Sequence, residues 1–233
     1  MHSLPQIVPN LEIKLDHLAI TQAMFPGRAM DPDWSERVLA IVDAIQPTLT
    51  PEAVCQWFEP AELGENELVL RSPQSLRTST LRMGEHAREL AAASMVLCCV
   101  ATLGEGFDRS LRQLQGSGDM LAGYLADCAG IYGLLQVSRA VYHEVEAVAA
   151  ENSWGVGRVL CPGAIEGWSL EEQHQLCSLL PIEQCGVSLN EYGVLSPGKS
   201  VSFVLGIGPG YEAEQVESPC DICTNTGECW CHC

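Results

Sequence analysis

Five cysteines lie within the last fourteen residues of this 233-residue chain: Cys220, Cys223, Cys229, Cys231 and Cys233. Thiolates bind zinc and iron–sulfur clusters well, and a Cys-x-x-Cys turn directs two sulfurs at one centre. Cys229, Cys231 and Cys233 alternate, so an extended segment puts them on one side. Four ligands close a site; five are present here, and His232 is a sixth candidate. The spacing does not separate zinc from a cluster, and it matches neither common ferredoxin pattern. The alternative is a tail of thiols that hold no metal. The other seven cysteines (Cys55, Cys98, Cys99, Cys128, Cys161, Cys177, Cys185) sit mostly in apolar settings, where a thiol acts as a small hydrophobe.

A second set of residues is suited to holding a ligand rather than attacking one. It begins Arg158-Val-Leu-Cys-Pro-Gly-Ala-Ile-Glu-Gly-Trp168 and resumes at Ser196-Pro-Gly-Lys-Ser200. Turns rich in Pro and Gly bring backbone amides and carbonyls to a surface, as a binding groove requires. The candidate contacts are Arg158, Cys161, Pro162, Gly163 and Ala164 on one side, and Ser196, Pro197, Gly198, Lys199 and Ser200 on the other. Val204-Leu-Gly-Ile-Gly-Pro-Gly210 has the look of a nucleotide-binding glycine turn. Only twenty-three residues follow it, with no helix or further βαβ unit, so that reading fails on context. There is no P-loop, no His-Glu-x-x-His helix and no Gly-x-Ser-x-Gly elbow. The six histidines are dispersed, and His86, His143 and His174 read as residues of solvated helix faces.

The elements that must position these groups read as follows. Asp31-Pro32 opens an amphipathic helix over 32–45, with Trp34, Val38, Ile41, Val42 and Ile45 at helical spacing. Residues 51–58 fit a short helix or a strand, and 67–71 a strand. Leu81, Glu85, Arg88 and Glu89 place 78–93 in a helical register, running into a buried strand at 95–101. Thr102–Gly106 turns into a helix over 107–115, and Asp119 caps a long helix to about Asn152. The small residues Ala122, Ala126, Gly130 and Gly133 on that helix predict close packing on another element. Ser169 and Glu172 form the pattern of a capping box for a helix to Leu180. Strands are expected at 186–191 and 200–207, and 209–219 as a linker. Helices mixed with about five strands, not in strict alternation, indicate an α+β domain.

Composition narrows the function classes. Hydrophobic residues make up 47 %, enough for a substantial core. A net charge of −18 leaves no basic surface for nucleic acid or an anionic membrane. The N-terminus lacks the basic region and apolar run of a secretory signal, and the apolar stretches near 95–103 and 124–135 are short or interrupted by Asp127. A cytoplasmic location is the expectation, with small molecules or proteins as partners.

From about Met95 to Ile207 the chain resembles the activation domain of cobalamin-dependent methionine synthase, and especially its stand-alone relatives. The resemblance rests on Ala101-Thr-Leu-Gly104 before a helix and on Asp127-x-x-Gly130. It rests further on Pro162-Gly163 with Trp168-Ser-Leu-Glu-Glu-Gln173 and Leu179-Leu180, on Gly186-Val-Ser-Leu-Asn-Glu191, and on Ser196-Pro-Gly-Lys-Ser-Val-Ser202. It implies a C-shaped α+β domain over 1–208, matched weakly over 1–75, with a twisted antiparallel sheet flanked by helices. Residues 209–233 would then be a linker and Cys-rich metal-binding tail. It also implies an S-adenosylmethionine groove beside an Arg-x-x-x-Gly-Tyr segment, and service to a corrinoid, cobalamin, on a partner protein or methyltransferase. Two positions depart from the pattern: Val159 stands where the family has arginine, with Arg158 one residue earlier, and Ala164 stands where tyrosine follows the glycine. Asp16 is followed directly by His17, so the chain has no corrinoid-carrier motif of its own. Two functions follow as expectations. One is an accessory protein that binds S-adenosylmethionine or a corrinoid protein. The other is a metal- or cluster-tailed interaction or redox protein that kept the fold and lost S-adenosylmethionine binding.

Overall fold

A computed structural model describes residues 6–8, 11–24, 32–218 and 222–223. Its centre is three strands, β2 (Glu52–Leu63), β5 (Met95–Thr102) and β9 (Ser200–Gly208), all antiparallel. Their side chains alternate strictly. Ala53, Cys55, Trp57, Leu97, Cys99, Ala101, Phe203 and Leu205 enter one hydrophobic core. Val54, Phe58, Val96, Cys98, Val100 and Val204 enter a second core on the opposite face. A sheet covered on both faces reads as a continuous apolar run, which is why 95–101 was legible as a buried strand.

With β3 at Glu67–Arg71, β4 at Thr78–Arg82 and β6 at Gly155–Val156, the seven-stranded sheet has the order β4-β3-β2-β5-β9-β6, and β1 (Gln6–Val8) also pairs with β2. β2 also divides its length between two further neighbours. Its first half pairs with β5 and its second half with β3 (Glu67–Arg71), with a register shift between Pro60 and Glu62. That irregularity, at a proline that has no amide to donate, bends the strand and curls the sheet into a half-barrel. β6 (Gly155–Val156) closes the far edge on β9.

The first face is covered by α1 (His17–Met24), α2 (Pro32–Ile45), α3 (Glu105–Gly116) and α4 (Met120–Glu151). The helix expected at 32–45 is α2. Asp119 caps α4 as expected, its carboxylate accepting from the Ala122 amide at 3.0 Å. α4 is long and apolar enough to cross a membrane by length and composition alone. Half of that stretch is buried against the rest of the protein, which marks a core helix. The small residues on α4 serve packing: a methyl group at Gly130 would meet the Phe107 ring, and one at Gly133 would meet Leu15 and Leu103.

Three local expectations are corrected. Residues 78–93 are not one helix: β4 (Thr78–Arg82) pairs with β3, and a 3-10 segment follows over Gly84–Leu90. Leu81 was the only apolar residue in the register proposed, so no apolar stripe existed to stabilise a helix, whereas Thr78, Ser79 and Thr80 suit an edge strand. The box at Ser169 does not form either. The Glu172 amide bonds to the Ser169 backbone oxygen at 3.2 Å, the Ser169 side chain makes no cap bond, and a 3-10 turn at Leu170–Glu172 leads into a short α5 (Gln173–Cys177). Buried Gln173 dictates that geometry by donating to Gly193 O at 2.5 Å and accepting from Ser202 Oγ at 2.7 Å. Finally, the strand expected at 186–191 reduces to β7 (Ser188–Leu189), which pairs with β8 (Leu195–Ser196) apart from the main sheet.

Candidate functional site

The motifs read from the sequence converge on one corner. The turn after β5 places Gly104 at φ +85°, a left-handed conformation glycine adopts without strain, and a side chain there would collide with Thr50. The Leu103 amide donates to Lys199 O at 2.9 Å, and Ser200 Oγ lies 2.8 Å from Thr102 Oγ1. Lys199 Nζ reaches Asp127 Oδ1 at 2.7 Å, while the Gly198 amide donates to Asp108 Oδ2 at 2.7 Å. Gly130 leaves room for the Lys199 stem and the Phe107 ring. Thus Ala101–Gly104, Asp127-x-x-Gly130 and Ser196–Ser200 form one hydrogen-bonded joint between β5, α3, α4 and β9. Polar groups that satisfy each other this fully are a scaffold.

Leu160 pairs with Val204 through both backbone bonds, at 3.0 and 2.9 Å, so the 158–164 segment runs antiparallel beside β9. β9 begins at the 196–200 turn, and the two halves of the expected site therefore flank one strand. Pro162 and Pro197 are buried, Gly163, Ser196 and Gly198 are exposed, and Ala164 lies between. The turn at Gly163 is closed by its amide donating to Trp168 O at 2.8 Å. Arg158 is largely buried and pairs with Glu217, Nη2 to Oε2 at 3.7 Å.

Beside this segment lies a cavity of about 380 Å³. Leu134, Leu135 and Tyr142 of α4 form one wall, and Val159, Cys161 and Val201 the other. The volume falls within the roughly 300–1,000 Å³ typical of small-molecule sites. Arg158 and the 196–200 residues are not among its lining groups; Val159 and Cys161 are. Its polar rim is Ser138, Arg139, His143, Glu146 and Glu217. Arg139 is exposed and makes no ion pair with any described residue.

Residues 213–218, expected as part of a linker, run along this segment, and 215–218 form the remaining wall. The Val156 amide bonds to Ala213 O at 2.8 Å and the Val159 amide to Glu217 O at 3.2 Å. The Val216 amide donates to Glu146 Oε1 at 2.9 Å, and Glu146 Oε2 lies 3.0 Å from His143 Nδ1. Glu146 therefore ties this strap to α4. Further on, Cys223 bridges Ile165 in antiparallel fashion, so the chain returns to the Gly163 turn. The remaining metal candidates, Cys220, Cys229, Cys231, His232 and Cys233, lie outside the described residues. Among the described residues, no three His, Cys, Asp or Glu side chains are grouped to hold a metal ion.

The sequence reading missed the α4 wall. Its signal was available: Leu134, Ser138, Tyr142 and Glu146 recur every four residues, one helix face passing from aliphatic to polar. The strap carried no comparable signal, because its contacts are backbone hydrogen bonds.

An α+β domain with a curled antiparallel sheet, helices on one face and short turns on the other is the class defined here. No family model matches the chain, and no curated protein matches it. Among solved structures it is similar to the MetH reactivation domain crystallised with AdoHcy, with a TM-score of 0.62 and 14 % identity. The match covers 90 % of this chain and 81 % of that one. The chain therefore has the reactivation-domain fold, as the sequence resemblance implied.

Proposed function

We propose that this chain is an accessory protein of the reactivation-domain kind. It binds S-adenosylmethionine, or the S-adenosylhomocysteine left after methyl transfer, and serves a corrinoid held by a partner protein or methyltransferase in the cytoplasm. The observation that carries this reading is the cavity beside Val159 and Cys161, with Arg139, which pairs with no described residue, at its mouth. The resemblance sets the ligand at the 158–164 segment, and the fold neighbour was crystallised with AdoHcy. Aliphatic walls and Tyr142 suit an adenosyl group, and a guanidinium suits the ligand's carboxylate. In an acidic protein, an unpaired cation at a cavity mouth is also a local attractor for that carboxylate. Arg139 thereby takes the part the family gives to an arginine at the position of Val159. S-adenosylmethionine would supply the methyl group; this chain's residues bind and orient it. The corrinoid is the partner's contribution.

Calorimetry with each adenosyl ligand tests the reading. One-to-one binding is expected, weakened about tenfold or more in Arg139→Ala, as loss of a charge-assisted hydrogen bond of roughly 1.5–3 kcal/mol requires. Folded protein that binds neither ligand overturns it. Binding indifferent to Arg139 moves the ligand out of this cavity.

A second reading, in which the Cys-rich tail is the working part and the adenosyl ligand has been lost, draws on the strap. The chain's own residues 213–218 and 223 lie along the 158–165 segment, and Glu217 engages Arg158. Metal analysis of protein purified without oxygen decides it. Iron with sulfide, or stoichiometric zinc, supports a tail site built on Cys220, Cys223, Cys229, Cys231 and Cys233; folded, metal-free protein refutes it.

A further inference from the structure

Two thiols meet in the middle of the sheet, away from the cavity and its rim. Cys55 of β2 and Cys99 of β5 are direct partners in the antiparallel register, between Val54–Val100 and Gln56–Cys98. Their sulfurs are 2.9 Å apart. Residues directly opposite in such a ladder have Cα atoms about 4.5–5.5 Å apart. That separation lies inside the roughly 4.4–6.8 Å a disulfide spans. Both side chains enter the helix-covered core, whereas Cys98 points into the opposite one. Cys99 is fully buried and Cys55 keeps 7 % exposure. Neither belongs to a group of three potential metal ligands among the described residues. The pair is thus a dithiol placed for a bond between its own two sulfurs.

We propose that Cys55 and Cys99 are an oxidisable cross-strand pair that a small hydroperoxide converts to an intrachain disulfide. Cys55, the less buried partner, attacks first: its sulfur takes one oxygen of hydrogen peroxide as a sulfenic acid, the O–O bond breaks, and the other oxygen leaves as water. The Cys99 sulfur then attacks the Cys55 sulfur. The S–S bond forms, the S–O bond breaks, and the departing hydroxide takes the Cys99 proton as a second water. Two thiols and one hydrogen peroxide give one disulfide and two waters, with two electrons passing from sulfur to oxygen. Burial holds the Cys99 thiol protonated well above its usual range, in keeping with Cys55 as the first nucleophile. The small size of the oxidant matters, because a bulky disulfide such as oxidised glutathione has little surface to approach at this pair.

The test uses the full chain. Protein purified without oxygen is treated with hydrogen peroxide, its remaining thiols are alkylated in denaturant, and the digest is mapped by mass spectrometry without reduction. The expected product links the Cys55 peptide to the Cys98–Cys99 peptide. Cys98→Ala keeps the link and Cys99→Ala abolishes it, which assigns the sulfur. Wild-type protein in which Cys55 and Cys99 stay fully alkylatable after the tail cysteines have oxidised overturns the proposal. So does a link from Cys55 that survives Cys99→Ala. The wild-type map alone reads the outcome should either variant fold poorly.

Discussion

Gly130→Ala tests whether the motif joint is held by close packing. Gly130 sits on α4, where an alanine would ordinarily stabilise the helix by about 1 kcal/mol. Here a methyl group would lie 2.8 Å from Phe107 Cε1, still nearer Cζ, and 3.1 Å from Lys199 Cε. Carbon contacts are comfortable at about 3.5–4.0 Å, so the ring must retreat by roughly 1 Å. Phe107 is fully buried in the core between α3 and α4 and has no open space to retreat into. Overpacking of this kind costs about 1–3 kcal/mol. Set against the helix gain, the net runs from near zero to a loss of about 2 kcal/mol, or up to roughly 8 °C in melting temperature for a chain of this size. Urea unfolding followed by far-ultraviolet circular dichroism should show a lower midpoint at unchanged slope. Phe107→Leu provides the internal control, because it creates the room that the methyl group needs. The double variant should lose less than the sum of the two single losses, by about 0.5 kcal/mol or more. Strict additivity, or a Gly130→Ala protein more stable than wild type, would refute the packing argument.

Three further outcomes follow from the same contacts. Asp127→Asn leaves the largely buried Lys199 ammonium without its carboxylate, and unfolding by urea should show a loss of about 1 kcal/mol. The Asp119 carboxyl is held below its usual range by the Ala122 amide and then by Arg37. A depressed folded value contributes stability above the unfolded carboxyl range and loses it as pH falls through the folded value. The gap in thermal stability between wild type and Asp119→Asn should therefore be full near neutrality and shrink below about pH 4; a gap independent of pH counts against the cap. Burial pushes the thiols of Cys177 and Cys185 up to about 11 each. Iodoacetamide labelling near neutral pH should leave both unmodified in folded protein and modify both in urea, and labelling in the folded state would contradict their placement.

β5, β9 and α4 were legible in the sequence as apolar runs or a capped helical segment, whereas β2 was not, because 51–58 fitted a helix as well as a strand. The run at 95–101, the cap at Asp119 and the end of the long helix near Asn152 needed no tertiary information. Elements fixed by single long-range contacts were not legible. Gln173 reaches Gly193 and Ser202, which shortens α5, and nothing within 169–180 announces that. Likewise 78–82 became a strand because β3 offered it a partner. The expected binding residues split by the same logic. Ser196–Ser200 was found as a motif, but its groups are spent on Thr102, Asp108 and Asp127. The cavity wall on α4 has no motif, only a face.

The strap gives a physical reason for the displaced arginine; nothing in the structure explains Ala164. In an extended segment, neighbouring side chains point to opposite sides. Arginine at 158 rather than 159 is not among the cavity's lining groups, and its guanidinium pairs with Glu217 of the strap. Val159 then contributes an aliphatic wall, and the amide that follows Arg158 holds Glu217 O. On the proposed reading, the one-residue displacement replaces a cation for the ligand's carboxylate with one that holds the strap. A cavity remodelled in this way still needs a cation if it is to read a carboxylate, and Arg139 on α4 is placed to provide it. On the proposed reading, the cation can change place only because the cavity has two walls, one on the 158–164 segment and one on the helix.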